Sequence, residues 1–173
     1  MTRLVRFGLI ASVLWLGLTP APPRAQSADM PQVRVLLNSR ELGAFPAAIS
    51  GGRLLLPLPA FASLGWRPLL DPHNGVVDLA GCLRVRTTGR EVFLIGGPGV
   101  IGVRTASALE PLPVAAQSRG GRTFLPAGAL AAFLGYAVTF DRGAARVRFT
   151  LPGDPAKLDP VSEACLRNIG AVP

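Results

Sequence analysis

Two stretches of this chain are versions of one another. Residues 52–71 read GRLLLPLPAFASLGWRPLLD, and residues 121–141 read GRTFLPAGALAAFLGYAVTFD. Both contain Gly-Arg, a proline four residues after the arginine, Leu-Gly followed by an aromatic residue, and a closing aspartate. The offset is 69 residues at Arg53/Arg122 and 70 at Gly65/Gly135, so one residue is inserted in the second copy. The chain is therefore predicted to contain one structural unit twice.

Each copy has the pattern strand, helix, strand, turn, strand. In the first copy these elements are expected over 53–57, 58–64, 66–70, 71–75 and 76–79. In the second copy they are expected over 123–125, 127–134, 136–140, 141–143 and 146–151. Pro57 or Pro59 suits the first turn of a helix, and Gly65 suits the left-handed residue that ends one. Helices of about two turns need a sheet to pack on.

Further strands and turns are expected outside the repeats. Alternating apolar residues predict a hairpin that begins at Gln32, turns at Asn38-Ser39 and returns over 40–42. A second hairpin is expected over 82–87 and 91–95, followed by a glycine-rich break over 96–99 and a strand with a loop over 101–112. A polar linker over 152–160 leads to a short helix over 161–169, capped by Asp159 or Ser162. The fold class is therefore predicted as α+β, with a twisted antiparallel sheet around short helices.

The first 25 residues have the pattern of an export signal. Arg3 and Arg6 precede an apolar run over 7–18, which is shorter than the roughly 20 residues that span a bilayer. Cleavage is expected near Ala25 or Ser27, and an uncleaved anchor is the alternative. Removal of residues 1–25 takes away three arginines and lowers the net charge from +8 to +5. We do not interpret this arginine-rich charge as a sign of nucleic-acid binding, and we expect no membrane span after cleavage.

The chain contains two cysteines, Cys82 and Cys165. In an exported protein two cysteines are expected to form a disulfide. Such a bridge closes a loop of about 84 residues and contributes on the order of 4 kcal/mol in the chain-entropy model. Two separate buried thiols are the alternative.

The repeats and the segments between them resemble a known family. The stretches VLLNSREL, GRLLLPLPAFASLGW, LRVRTTGREVFLIGG and LEPLPVAAQSRGGRTFLPAGALAAFLGYAVTFDRGAARVRF are similar to the copper amine oxidase N-terminal domain family, also called the stalk domain. The resemblance covers residues 33–151 and places one domain over 32–151, with repeats over 52–79 and 121–149 and a tail over 152–173. It implies an exported, non-catalytic module of the bacterial cell envelope.

The chain departs from the family pattern in both helices. The family usually has an arginine after Pro-Leu and a glutamate within the helix. Pro59 and Gly128 stand near the arginine position, and Ala62, Ala131 and Ala132 stand near the glutamate position. Any charge pair between these positions is therefore expected to be absent.

The family name also raises the question of copper. Amine oxidase chemistry needs a modified tyrosine and three histidines around copper, and this chain has one histidine, His73, and one tyrosine, Tyr136. These residues therefore argue against the copper cofactor that the family name suggests. One alternative is a surface metal site at His73, completed by Asp71, Asp78, a thiol or a partner chain, because metal sites take three or four such ligands.

Two arginine pairs alternate with apolar residues. Arg84 and Arg86 flank Val85, and Arg146 and Arg148 flank Val147. Alternation with a period of two places each pair on the strand face opposite its apolar neighbours. These faces are either solvated or cationic binding faces. Asp71 and Asp141 are expected to cap the turns that follow them.

Three functional hypotheses follow. The first is an accessory or scaffolding subunit that binds another envelope protein in the periplasm, envelope or surface of a bacterium. The second is a copper-binding redox enzyme of the superoxide dismutase type, with His73 as a ligand. The third is a binder of acidic cell-wall polysaccharide through the arginine faces.

Overall fold

The computed structural model describes residues 30–95, 106–151, 153, 160–168 and 170. The predicted export signal over 1–25 and the glycine-rich break over 96–99 lie outside the described residues, as do most of the linker over 152–160 and the start of the strand predicted over 101–112.

The described elements include the predicted ones in the expected order, together with two short strands over 48–50 and 117–119 that were not predicted. The strands are β1 (Gln32–Leu37), β2 (Arg40–Pro46), β3 (Ala48–Ser50), β4 (Arg53–Pro57), β5 (Leu69–Asp71), β6 (Val76–Leu79), β7 (Leu83–Arg86), β8 (Val92–Ile95), β9 (Ala106–Ala108), β10 (Gln117–Arg119), β11 (Arg122–Pro126), β12 (Ala137–Asp141) and β13 (Arg146–Thr150). The helices are α1 (Leu58–Ser63), α2 (Ala127–Phe133) and α3 (Pro160–Asn168). The α+β class is confirmed, with the strands divided among three sheets.

The two repeats meet in a four-stranded sheet of order β10-β11-β4-β3. Leu56 and Leu125 occupy the same position in the two copies, and they are direct partners in the antiparallel pair of β4 and β11. The β3-β4 hairpin and the β10-β11 hairpin also have matching registers. The duplication therefore produces a local two-fold arrangement around Leu56 and Leu125, and it extends upstream of the repeats seen in the sequence.

Both repeat helices begin and end as predicted. Pro57 and Pro126 are the N-caps, and Pro59 lies in the first turn of α1. The N–H groups of Gly65 and Trp66 donate to the carbonyls of Ala62 and Phe61, at 2.9 and 3.1 Å. Gly65 has φ +83°, and the equivalent Gly135 has φ +74°. Each helix thus closes with a Schellman motif, which satisfies carbonyls that the helix end leaves free.

The first repeat returns through a shorter strand than predicted. A strand was expected over 66–70, and β5 begins only at Leu69. Arg67 has φ +47°, and Pro68 has no N–H to donate to a ladder. These two residues therefore delay the strand, whereas β12 begins at Ala137, directly after Tyr136.

The other two sheets bring distant parts of the chain together. One has the order β12-β13-β1-β2, and the other has the order β5-β6-β7-β8-β9. The pairs within them are antiparallel except that β1 and β13 run parallel, with Arg34 beside Arg146 and Leu37 beside Phe149. The predicted hairpins β1-β2 and β7-β8 are both present. The parallel pair is a departure from the all-antiparallel expectation.

One main hydrophobic core joins the three sheets and the helices. Its largest fully buried side chains include Trp66, Phe61 and Phe149. A smaller cluster of Ala48, Leu55 and Phe124 lies separately, with Met30 and Val114 packed against it. Successive residues of β4 enter different clusters, so this strand is buried on both faces. Burial on both faces explains why consecutive residues of β4 are apolar.

The predicted disulfide between Cys82 and Cys165 is confirmed, with the two Cα atoms 5.6 Å apart. It ties α3 to the segment before β7. Ser162 lies inside α3 and donates from Oγ to the carbonyl of Phe133 at 3.2 Å. Ser162 is therefore not the N-cap of this helix, and that alternative is wrong. The alternative Asp159 lies outside the described residues.

Within the described part of the chain, no helix has the length and apolar character needed to cross a membrane.

Candidate functional site

Strand β13 carries one of the two predicted arginine pairs. Val147 and Phe149 are fully buried in the main core, whereas Arg148 is exposed and Arg146 is half-buried. Both arginines therefore lie on the outer face of the sheet, as the alternation predicts. The structure places a third arginine on the same face.

Arg34 on β1 lies directly beside Arg146 in the parallel pair. It is exposed, and its Nη2 donates to the carbonyl of Ala144 at 3.3 Å. Arg34, Arg146 and Arg148 together form what we call the arginine face. The sequence contained a local signal for Arg34, since it alternates with Val33 and Val35. What it did not contain was the pairing of β1 with β13, which depends on residues more than a hundred positions apart.

The three arginines of the arginine face form no ion pair with any described residue. The Nε atom of Arg146 is buried and makes no hydrogen bond there. Two acidic residues lie on the strands next to the arginine face, Asp141 on β12 and Glu41 on β2. Asp141 does not pair with an arginine of this face, and its Oδ1 accepts from the N–H of Ala144 at 3.0 Å. Like charges side by side in a sheet repel one another. An anionic partner that contacts the face would relieve this repulsion.

The arginine pair on β7 has a different environment. Arg84 forms a two-point ion pair with Asp78 on β6, at 2.7 Å from Nε to Oδ1 and 2.8 Å from Nη2 to Oδ2. Hydrogen bonding to this carboxylate raises the pKa of Arg84 above its usual value. Arg84 is therefore neutralised within the sheet, and Arg86 is the exposed charge of this pair.

A cleft of about 340 Å³ opens beside β7. It is lined by Arg84 and Arg86, by Phe93 of β8, and by Val76, Asp71 and Asn74. An aromatic ring, a carboxylate, an amide and a guanidinium thus converge on one concavity. Such a combination of an apolar surface with a few polar groups is typical of small binding sites.

The turn that carries His73 borders this cleft. His73 is exposed, and the Oδ1 atom of Asp71 accepts from the backbone N–H groups of His73 and Asn74, each at 3.1 Å. Asp71 Oδ2 accepts from Asn74 Nδ2 at 2.7 Å. The hydrogen bonds from Asn74 lower the pKa of Asp71. The predicted turn-capping roles of Asp71 and Asp141 are both confirmed.

The described residues do not fit a copper centre at His73. Both oxygens of Asp71 already accept hydrogen bonds within the turn, and Asp78 is paired with Arg84. The thiol considered as a ligand is not present, because both cysteines form the disulfide. No cluster of three or more His, Cys, Asp or Glu side chains occurs in the described ranges. We derive no chemistry through copper.

The fold and site define a small α+β module with a cationic sheet face. A family model for the copper amine oxidase N-terminal domain matches residues 36–149 of the chain, and the chain belongs to that family. The matched range contains both repeats and the arginines of β7 and β13. No curated protein and no solved structure matches the chain.

Proposed function

We propose that this protein is an exported, non-catalytic accessory subunit that binds an acidic surface of another cell-envelope protein through the arginine face. The observation that carries the proposal is the side-by-side placement of Arg34 and Arg146, with Arg148 on the same strand. A surface that concentrates unpaired guanidinium groups attracts acidic partners and orients their approach.

The location is part of the same proposal. The amino-terminal pattern over 1–25 supports export, and so does the disulfide, since disulfides persist in oxidising compartments. The expected site of action is the periplasm, the envelope or the cell surface of a bacterium. Fractionation of the native host, with sequencing of the mature amino terminus, tests this point: an intact leader in a cytoplasmic fraction would contradict it.

The arginine face is tested by charge reversal. We expect Arg146→Glu with Arg148→Glu to abolish co-purification of the envelope partner after cross-linking in intact cells. Arg148 is exposed and Arg146 is half-buried on the outer face, and circular dichroism would verify that the double variant retains its fold. Retention of the partner by the double variant would exclude this face.

A matched control is available on another surface. Arg119 and Arg122 are exposed and are direct partners in the β10-β11 hairpin. The double variant Arg119→Glu with Arg122→Glu makes the same change in net charge away from the arginine face. It should co-purify the partner as the unaltered protein does. Equal loss in both variants would indicate a general charge effect.

The cleft beside β7 favours a second candidate function, which is the binding of acidic cell-wall polysaccharide. Arg86 would contact an acidic group, and the exposed part of Phe93 would contact a sugar face. If the cleft binds polysaccharide, Arg86→Glu or Phe93→Ala should abolish sedimentation of the protein with purified, protein-free walls. The double variant Arg146→Glu with Arg148→Glu should still sediment. No sedimentation by the unaltered protein would eliminate it.

A further inference from the structure

A second cleft, of about 370 Å³, lies between β4, helix α2 and β12. Its wall is mostly apolar and includes Leu54, Ala132, Val138 and Phe140. Val138 and Phe140 are half-buried and lie on the face of β12 opposite to the arginine face. The cleft has the size of a small-molecule site.

Part of the wall is the bare backbone of α2 at Gly128. A Cβ atom built at this position meets no other atom within 4 Å. Gly128 does not have a positive φ, since it is not among the glycines in that region. Neither crowding nor backbone conformation therefore requires a glycine here, although glycine disfavours a helix relative to alanine. Close approach of a ligand to the backbone is a remaining reason for such a residue.

The cleft also carries positive charge. Arg53 lines it, is exposed and makes no ion pair with any described residue. Arg142 lies beside the cleft, where its Nη2 donates to the carbonyl of Gly52 at 3.2 Å. Asp141, which directly precedes Arg142 in the sequence, accepts a hydrogen bond from the N–H of Ala144 within its turn. A ligand that fills the apolar wall and carries an anionic end would match both features.

The first repeat does not reproduce this arrangement. Pro59 stands at the position of Gly128, and α1 packs against β2 rather than against the return strand of its own repeat. The cleft therefore combines Arg53 and Leu54 of the first repeat with α2 and β12 of the second.

We propose that this cleft binds a small amphiphile with an unbranched apolar chain and a carboxylate, such as a medium-chain alkanoate. The carboxylate pairs with Arg53, and the chain lies over Gly128 towards Val138 and Phe140. The site is independent of the arginine face and of the envelope partner.

Isothermal titration calorimetry of the purified protein with decanoate tests this assignment. Decanoate should bind at one site, and octanoate should bind more weakly, by up to about fourfold for each buried methylene that is removed. Decanol, which has the same chain without the charge, should bind several-fold more weakly than decanoate, and Arg53→Gln should remove that difference. No binding of decanoate, or equal binding of decanoate and decanol, would overturn the proposal.

The position of the site is tested at Gly128. Gly128→Leu fills the cleft and should abolish decanoate binding, whereas Ala62→Leu, which adds the same side chain to an exposed position of α1, should leave it unchanged. If Gly128→Leu does not fold, decanoate binding is measured with the smaller change Gly128→Ala. This variant should fold and bind decanoate more weakly. Unchanged binding in a folded Gly128→Leu protein would place decanoate elsewhere and overturn the proposal.

Discussion

Tyr136 and Trp66 hold the same position in the two repeats, and in the folded protein they contact each other. Their ring centroids are 5.4 Å apart, and both rings also contact Phe149. Burial raises the pKa of the Tyr136 hydroxyl above its ordinary value of 10.0, while the neighbouring Trp66 indole lowers it by a smaller amount. The neutral phenol is therefore the form that the core accommodates.

This shift predicts a loss of stability in alkaline solution. The folded pKa of Tyr136 lies above the unfolded value of 10.0, so its contribution is fully present below that pH and is lost as the pH rises through the folded pKa. Tyr136 is the only tyrosine of the chain, so tyrosinate absorbance reports on this residue alone. We expect ionisation to coincide with unfolding by circular dichroism. Tyr136→Phe should remove the tyrosinate signal and lessen the alkaline loss, and ionisation at the ordinary pKa without unfolding would contradict the interpretation.

Gly65 gives a prediction that depends on backbone conformation alone. Its φ of +83° is unfavourable for any residue with a Cβ, yet a Cβ atom there would have open space around it. Gly65→Ala should therefore reduce the free energy of unfolding by about 1–2 kcal/mol, measured by chemical denaturation.

Gly128→Ala is the control for that measurement. This position is also open but has no positive φ, so alanine should leave stability unchanged or raise it by up to about 1 kcal/mol. Similar losses in both variants would show that the left-handed conformation of Gly65 is not the cause. Helix ends of this kind are predictable from sequence, because the proline and glycine that set them lie within a few residues of the helix.

At the scale of secondary-structure elements, helix α3 depends on contacts with distant parts of the chain. It contains only nine residues, which is too few for a stable isolated helix, and it is held by the disulfide, by buried Leu166 and by the Ser162 hydrogen bond to Phe133. The existence of this helix was predictable from its composition. Its docking site was not, because only the cysteine pair gave any signal of it.

Removal of the disulfide should loosen this helix and lower overall stability. Cys82→Ala with Cys165→Ala should reduce the free energy of unfolding by about 2–5 kcal/mol and accelerate amide exchange in α3. Addition of reductant should have a similar effect on the unaltered protein and none on the double variant. Unchanged exchange in α3 would show that the helix is held without the bridge.

The two strands that carry arginine pairs, β7 and β13, also differ in the charges of their neighbouring strands. Alternation placed all four arginines on outer faces, and their exposure or half-burial agrees with that prediction. It gave no means of telling that Asp78 would neutralise Arg84 across the β6-β7 pair. Nor did it indicate that Arg34 would lie beside Arg146, since alternation describes one strand and charge pairing depends on its neighbours.

At the scale of the whole molecule, the duplication accounts for the central sheet but not for the surfaces. The repeated leucines, prolines and glycines produce strands β4 and β11 and the two capped helices, and these elements were predictable from the sequence. The pairing of β4 with β11 was not predicted. The two return strands then enter different sheets, one with β7 and the other with β1. That divergence separates the arginine face, the cleft beside β7 and the cleft at Gly128.

We propose that the protein acts as a bound accessory subunit rather than as a free monomer. It is tested most directly by the mass of the native species, measured by size-exclusion chromatography with light scattering after gentle extraction from the host envelope. We expect a species heavier than one copy of this 18.1 kDa chain, which contains a second envelope protein and dissociates at high salt. A free monomer with no partner and no affinity for the cell wall would contradict it.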